Sequence, residues 1–312
     1  MEIQIISGFL GAGKTTFLNK YFPLLPGKTA IIENEFGEVG LDGALIQGDL
    51  PVKELSAGCI CCSLAIDLKD GIAEIADKYS PDRILIEPSG VGKLSDVVSA
   101  CEKAKDKMDI HITNKIVIVD ACDCAVYAEE FGQFYSDQIA CANVVLLSNL
   151  QAATEEEKSA SVACIKELNP HAVIYDEDWR ELEKDALLAI LEAGVQAEDK
   201  EANHFEEEPE IAFSPTNQVF SSIVLEDSCA MTEQEIQELL RGFGEEAYGQ
   251  VLRAKGIVPA VDGAAWHFDY TKSVQNYEKL KESKEEMNRV IVIGSGLNKK
   301  ELRKFVYSFG EE

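Results

Sequence analysis

Gly8-Phe9-Leu10-Gly11-Ala12-Gly13-Lys14-Thr15-Thr16 follows the apolar run Ile3–Ile6 and opens a helix-favouring segment, 14–22. Its first eight residues fit G-x-x-x-x-G-K-[ST] in the strand-loop-helix context that gives this motif its meaning. Glycines 8, 11 and 13 let the backbone fold inward. The N–H groups of Gly11, Ala12 and Gly13 then face phosphate oxygens, and the helix starting at Lys14 points the positive end of its dipole at them. Lys14 is placed to reach the β- and γ-phosphates, Thr15 to offer its hydroxyl to Mg²⁺, and Thr16 to touch a phosphate nearer the ribose. The segment predicts an α/β fold that binds a nucleoside triphosphate.

Moving outward, short β-branched runs alternate with helical patterns as far as about residue 195, the pattern of a mostly parallel sheet covered by helices. Strands are expected at Ile3–Ile6, Thr29–Glu33, Arg83–Glu87, Lys115–Val119, Val144–Leu147 and Ala172–Tyr175. Helices are expected at 14–22, 64–78, 94–107, 122–131, 155–168 and 180–193, with Thr154 and Glu157 forming a capping box. Residues 196–210, QAEDKEANHFEEEPE, hold seven acids against one lysine. They cannot bury a core and read as a solvated linker. The expected organisation is therefore a nucleotide-binding domain at 1–195, an acidic linker at 196–212 and a small α+β domain at 213–312. In the last part, strands are expected at Val219–Leu225, Ile257–Val261 and Arg289–Ile293, with helices from Met231–Thr232 and at 298–308.

Composition narrows the function. The chain has 312 residues, 46% hydrophobic and 27% charged, enough for two ordinary globular cores. Twenty-nine basic residues against 56 acidic ones leave a net charge of -27, which opposes an electrostatic grip on nucleic acid or an anionic membrane and favours cationic partners, metal ions included. No apolar run is long enough to cross a bilayer and no leader pattern precedes the first strand, so a cytoplasmic location is expected.

Three of the nine cysteines crowd into Cys59-Ile60-Cys61-Cys62, after Gly58 and just before a helix expected from about Leu64. Clustered thiols in a reducing compartment read as a metal or redox site, and a helix N-terminus favours the thiolate. Soft sulfur donors select Zn²⁺, Cu(I) or a similarly thiophilic ion. Glu33 and Glu38, in the Gly-punctuated stretch after the second strand, are candidates to complete a mixed sulfur/oxygen site or to act on water near the γ-phosphate. The competing reading is a solvated acidic loop. Glu87 ends the strand Arg83–Glu87 where α/β folds bind ligands, so its carboxylate is a candidate to hold the Mg²⁺ shell or orient water, and Gly90 offers a backbone N–H to a γ-phosphate. Lys14, Thr15, Glu87 and Glu38 are thus the candidate catalytic set. Asp120, Cys122, Asp123 and Cys124 form a weaker candidate for a second thiol site.

The motifs GFLGAGKTT, IENEFGEVGLD, ELSAGCICC, IEPSG and IVIVDA, in that order, resemble the CobW-type P-loop GTPases, relatives of the nickel-enzyme maturation GTPases HypB and UreG. VLRAKGIV and RVIVIGSGLNKKEL resemble the C-terminal domain of the same family, so the likeness spans nearly the whole chain. The resemblance implies Mg²⁺-dependent GTP binding, slow hydrolysis and a metallochaperone role, for zinc or another transition metal delivered to a client metalloprotein. It implies an internal metal site using Cys61 and Cys62, with Cys59 and Glu33 or Glu38 as further ligands, and Glu87 and Gly90 as the switch segment. The alternative within that resemblance is a nucleotide-driven activator of a metal- or corrinoid-containing enzyme that hands over no metal. Where the family reads guanine with N-K-x-D, this chain has Ser148-Asn149-Leu150-Gln151. Asn149 or Gln151 then remains to contact a purine base. The acidic surface permits a specific homodimer while opposing casual self-association.

Overall fold

A computed structural model describes residues 1–36, 52–57, 64–106, 108–201, 219–280 and 288–309. The chain divides into two compact units, Met1–Ser214 and Pro215–Glu312.

The first unit is built on a seven-stranded sheet of β1 (Glu2–Gly8), β2 (Thr29–Phe36), β3 (Val52–Ala57), β4 (Arg83–Glu87), β5 (His111–Asp120), β6 (Val144–Ser148) and β7 (Val173–Tyr175). Its strand order is β3-β2-β4-β1-β5-β6-β7, and every adjacent pair is parallel. Parallel strands bury both faces, which is why β1, β4 and β6 are nearly continuous apolar runs. The helices are α1 (Lys14–Tyr21), α2 (Leu64–Tyr79), α3 (Leu94–Ala104), α4 (Cys124–Phe131), α5 (Gln133–Ala140), α6 (Glu155–Leu168) and α7 (Lys184–Glu201). On one face, Phe17 and Leu18 of α1 pack with Leu187 and Leu191 of α7 over Ile6, Leu85, Ile118 and Leu146, closed by the buried Trp179.

The chain moves from β1 outward through β2 to β3, returns to β4, and then continues on the other side of β1 through β5, β6 and β7. The order reverses beside β1, so the loop after β1 opens into the crevice at the C-terminal edge of the sheet. That loop is Gly8–Gly13.

The sequence reading is corrected in three places here. α7 runs to Glu201, six residues into the stretch expected as linker, because Gln196, Ala197, Glu198, Lys200 and Glu201 are good helix formers whatever their charge. β3, VKELSA, and α5, QFYSDQIA, carried no strand or helix expectation. β3 is an edge strand, where charged residues are normal, and their presence weakens the apolar signal.

The second unit holds β8 (Phe220–Glu226), α8 (Glu233–Gly242), β9 (Gln250–Pro259), β10 (Ala265–Thr271), β11 (Gln275–Leu280), β12 (Arg289–Ser295) and α9 (Lys299–Tyr307). Its sheet runs β11-β10-β9-β12-β8 with every neighbour antiparallel. Ile236, Leu239 and Leu240 of α8 and Leu302 and Val306 of α9 pack with Leu225, Ala254, Val258, Phe268, Val290 and Val292, so both helices cover one sheet face. This is the expected α+β arrangement. β10 and β11 were missed, since WHFDY and QNYEK mix aromatic and charged residues without a continuous apolar run.

Candidate functional site

The Gly8–Gly13 turn is held from three directions. Gly13 caps α1 at φ 99°, a left-handed conformation that side-chain-bearing residues rarely adopt. Phe9 is anchored outside the turn: its ring lies 5.1 Å from those of Tyr127 and Phe131 and 5.4 Å from that of Tyr135, a cluster supplied by α4 and α5. Ser148, at the end of β6, donates its hydroxyl to Ala12 O at 2.7 Å and to Val119 O at 3.3 Å. Within this frame Ala12 N donates to Phe9 O at 3.2 Å, a bond that an anion at that N–H would replace.

Within the turn, Lys14 is buried and its Nζ donates to Phe9 O at 3.3 Å. Thr15 Oγ1 donates to Glu87 Oε1 at 3.2 Å, joining the start of α1 to the end of β4. Thr16 is exposed on the next position of the helix. Gly90 lies against this assembly: a Cβ there would stand 2.8 Å from Leu10 N and 3.0 Å from Lys14 Nζ, so no side chain fits at this position unless the loop moves. The backbone around Gly90 is gripped by the buried Gln138 of α5, whose Nε2 donates to Gly90 O at 3.1 Å and to Gly92 O at 2.8 Å.

Glu33 on β2 is in register with Glu87 on β4, and both are buried. On its other side Glu33 is in register with Glu54 of β3, and β3 ends at Ala57, paired with Phe36. The sheet thus brings Glu33, Glu87 and the phosphate-binding turn to one edge. Cys59, Cys61, Cys62 and Glu38 lie outside the described residues. Among the described residues, Asp120, Cys122, Asp123 and Cys124 included, no group of three or more His, Cys, Asp or Glu side chains is set to hold a metal ion. Burial, reinforced by Asp120, pushes the Cys122 thiol up to about 12, and burial does the same to Cys124.

Beyond β6, Asn149 adopts φ 54°, donates Nδ2 to Asp120 Oδ2 at 2.7 Å, and its carbonyl faces Cys122 Sγ at 3.9 Å. Gln151 Nε2 donates to Asp178 Oδ2 at 2.6 Å. Sequence reasoning missed Ser148 and Gln138. Ser148 stood only as one residue of a substituted base motif, and Gln138 lies on a helix that was not anticipated.

A family model described as CobW/HypB/UreG, nucleotide-binding domain, matches residues 2–176, and one described as the cobalamin synthesis protein cobW C-terminal domain matches residues 220–308. The chain belongs to the CobW/HypB/UreG family. It is a member with both modules of the CobW type, and it is a P-loop protein of the GTPase class. The zinc chaperone YjiA of Escherichia coli is 30% identical over 271 residues, covering 83% of this chain and 81% of the relative. The zinc chaperone CobW of Sinorhizobium sp. is 26% identical over 294 residues, covering 81% of this chain and 80% of the relative. The zinc-regulated GTPase metalloprotein activator 1 of Dictyostelium discoideum is 28% identical over 218 residues, covering 55% of this chain and 44% of the relative. Among the described residues, no helix of this CobW-type protein is long and apolar enough to cross a membrane.

Proposed function

We propose that this CobW-type protein is a slow Mg²⁺-dependent GTPase whose nucleotide state sets the affinity of Cys59, Cys61 and Cys62 for zinc or a similar thiophilic ion, which is cargo for a client metalloprotein. The observation that carries the reading is the run of neighbours β3, β2, β4, with Glu33 and Glu87 in register and Glu87 bonded to Thr15 at 3.2 Å. A change at the phosphate side therefore has one strand to cross before it meets the strand that leads into the cysteine segment. Zinc-chaperone relatives matching four fifths of the chain support the choice of metal.

The donor set fits Mg²⁺. A hydroxyl and a carboxylate held 3.2 Å apart at the end of a phosphate-binding turn are the hard oxygen ligands this ion takes together with phosphate oxygens. Thr15 would coordinate directly, with Glu87 beside it, and the ion when bound neutralises charge that develops on the phosphates. The chain's own residues do the rest. The N–H groups of Gly11, Ala12 and Gly13 and the buried Lys14 hold phosphate, and Thr16 extends that grip along the helix. Gly90 brings its backbone within reach of Lys14, where the γ-phosphate belongs, and Gln138 holds that segment in place. Glu87 and Glu38 are the carboxylates available to orient water. Glu33 or Glu38 adds an oxygen ligand to the thiolates. With no arginine assigned to the transferring phosphate, turnover is expected to be slow until a partner engages.

The experiment is removal of the thiols. Cys61→Ala with Cys62→Ala is expected to lower zinc affinity at least tenfold while leaving nucleotide affinity and thermal stability in place. Unchanged zinc affinity would remove the cysteine assignment and favour the activator reading, in which the client is stimulated without metal transfer.

A further inference from the structure

The γ-phosphate end of the site is fixed on the β4 side of the turn by Gly90 and Glu87. A nucleotide laid along the start of α1 must then carry its base toward the other side, over the loops that follow β6 and β7. The end of β6 is tied to the turn before α1 by the bond from Ser148 to Ala12, and the segment after β7 is held against α1, where Lys20 Nζ donates to Arg180 O at 2.8 Å and Trp179 packs edge-on against Phe17 at 5.4 Å. The base therefore meets Asn149, Leu150 and Gln151 from one loop and the Asp178–Arg180 turn from the other.

Guanine and adenine differ on their Watson–Crick edges. Guanine offers two donors, N1–H and the 2-amino group, and a carboxylate accepts both; adenine offers an acceptor at N1 beside a donor at N6, which a carboxamide matches. The two carboxylates bonded to Asn149 and Gln151, Asp120 at the end of β5 and Asp178 after β7, are already engaged. Asp178 accepts from Arg180 N and Nε on Oδ1 and from Arg180 Nη2 and Gln151 Nε2 on Oδ2, at 2.6 to 3.0 Å, filling the acceptor positions a carboxylate has. Asp120 accepts from Cys122 N on Oδ1 at 2.9 Å and from Asn149 Nδ2 on Oδ2 at 2.7 Å. The carboxamide of Gln151, exposed on this loop, is the group left for a base. Because Asp178 can only accept, Nε2 is the end turned to it, which leaves Oε1 and the second amide hydrogen for the ligand.

Resting on the nucleotide reading above, we propose that the base subsite of this chain reads purines through the Gln151 carboxamide and does not select guanine, so that ATP is a ligand alongside GTP. A site that offers no buried carboxylate has nothing left unpaired when adenine replaces guanine, and the large discrimination available to a site built around such a group is lost.

The test is a fluorescence titration of the full chain with Mg²⁺ and non-hydrolysable analogues of GTP and ATP, in wild type, Gln151→Glu and Lys14→Ala. In wild type, the ATP analogue is expected to bind no more than tenfold more weakly than the GTP analogue. Gln151→Glu, an exposed isosteric change that removes the donor to Asp178 and supplies a carboxylate, is expected to shift the ratio toward GTP at least tenfold. Lys14→Ala is expected to weaken both analogues equally. A wild-type preference for GTP above tenfold would overturn the proposal while leaving the nucleotide reading intact, and an unchanged ratio in Gln151→Glu would overturn the role of Gln151. Failure of wild type to bind either analogue would overturn both readings.

Discussion

Thr15 and Glu87 come from positions 72 residues apart and meet because β1 and β4 are adjacent parallel strands whose C-terminal ends share one edge. Around that contact, single atoms decide the behaviour of the site. Ser148 Oγ holds Ala12 from outside the nucleotide position; Ser148→Ala removes a neutral hydrogen bond of about 1 kcal/mol and is expected to weaken nucleotide binding about fivefold, measured by titration, with stability lowered by a similar amount. Gln138 grips Gly90 and Gly92 without reaching the ligand, so Gln138→Leu is expected to lower kcat more than it raises KM for nucleotide, in steady-state kinetics. Equal effects on both would make it a purely structural residue. The thiols give a pH signature. Burial raises Cys101, Cys122 and Cys124 from the ordinary value of 9.0 to about 12. Because the folded state holds these protons more tightly, their contribution to stability is complete below pH 9 and is lost as pH rises toward 12. The melting temperature is therefore expected to fall steadily above pH 9. Alkylation of Cys122 near neutrality is expected to be about a hundredfold or more slower than that of a free thiol, as read by mass spectrometry.

At the scale of elements, two helices start on the same device. Thr154 and Glu157 cap α6, and Thr232 and Glu235 cap α8, each threonine accepting from the N3 backbone while the glutamate reaches back to the cap. Thr232→Ala is expected to cost about 1 kcal/mol in denaturant unfolding of the second unit, with nucleotide binding untouched. The cap of α6, the start of α8, and β1, β4 and β6 were legible in the sequence because a four-residue cap or an apolar strand is decided by its own residues. β3, α5, β10 and β11 were not. Their polar and aromatic residues acquire meaning only from the neighbour they pack on, as β3 does at the sheet edge beside β2. The site divides in the same way. The turn from Gly8 to Thr16 was legible because its chemistry demands fixed residue types at fixed spacing, whereas the grip of Gln138 on Gly90 joins positions 48 residues apart and leaves no local signature. The commitment of Asn149 to Asp120 and of Gln151 to Asp178 is also tertiary: the sequence displayed an altered base motif, but the partners that occupy its side chains come from β5 and from the turn after β7.

At the scale of the whole molecule, the phosphate-binding turn, Gly90, Glu87 and Glu33 share one edge of one sheet, and the cysteine segment follows the strand at that edge beyond β2. The net charge of -27 favours cationic over anionic partners for the molecule as a whole, an attraction that is screened as salt rises. If nucleotide changes the affinity for metal, metal must change the affinity for nucleotide by the same factor. The measurement that bears most directly on this is a chelator-competition zinc titration of the full chain, without nucleotide and with Mg²⁺ and a non-hydrolysable GTP analogue. A nucleotide-switched chaperone is expected to show zinc dissociation constants at least fivefold apart, a coupling of about 1 kcal/mol. Equal constants in the two states would contradict it.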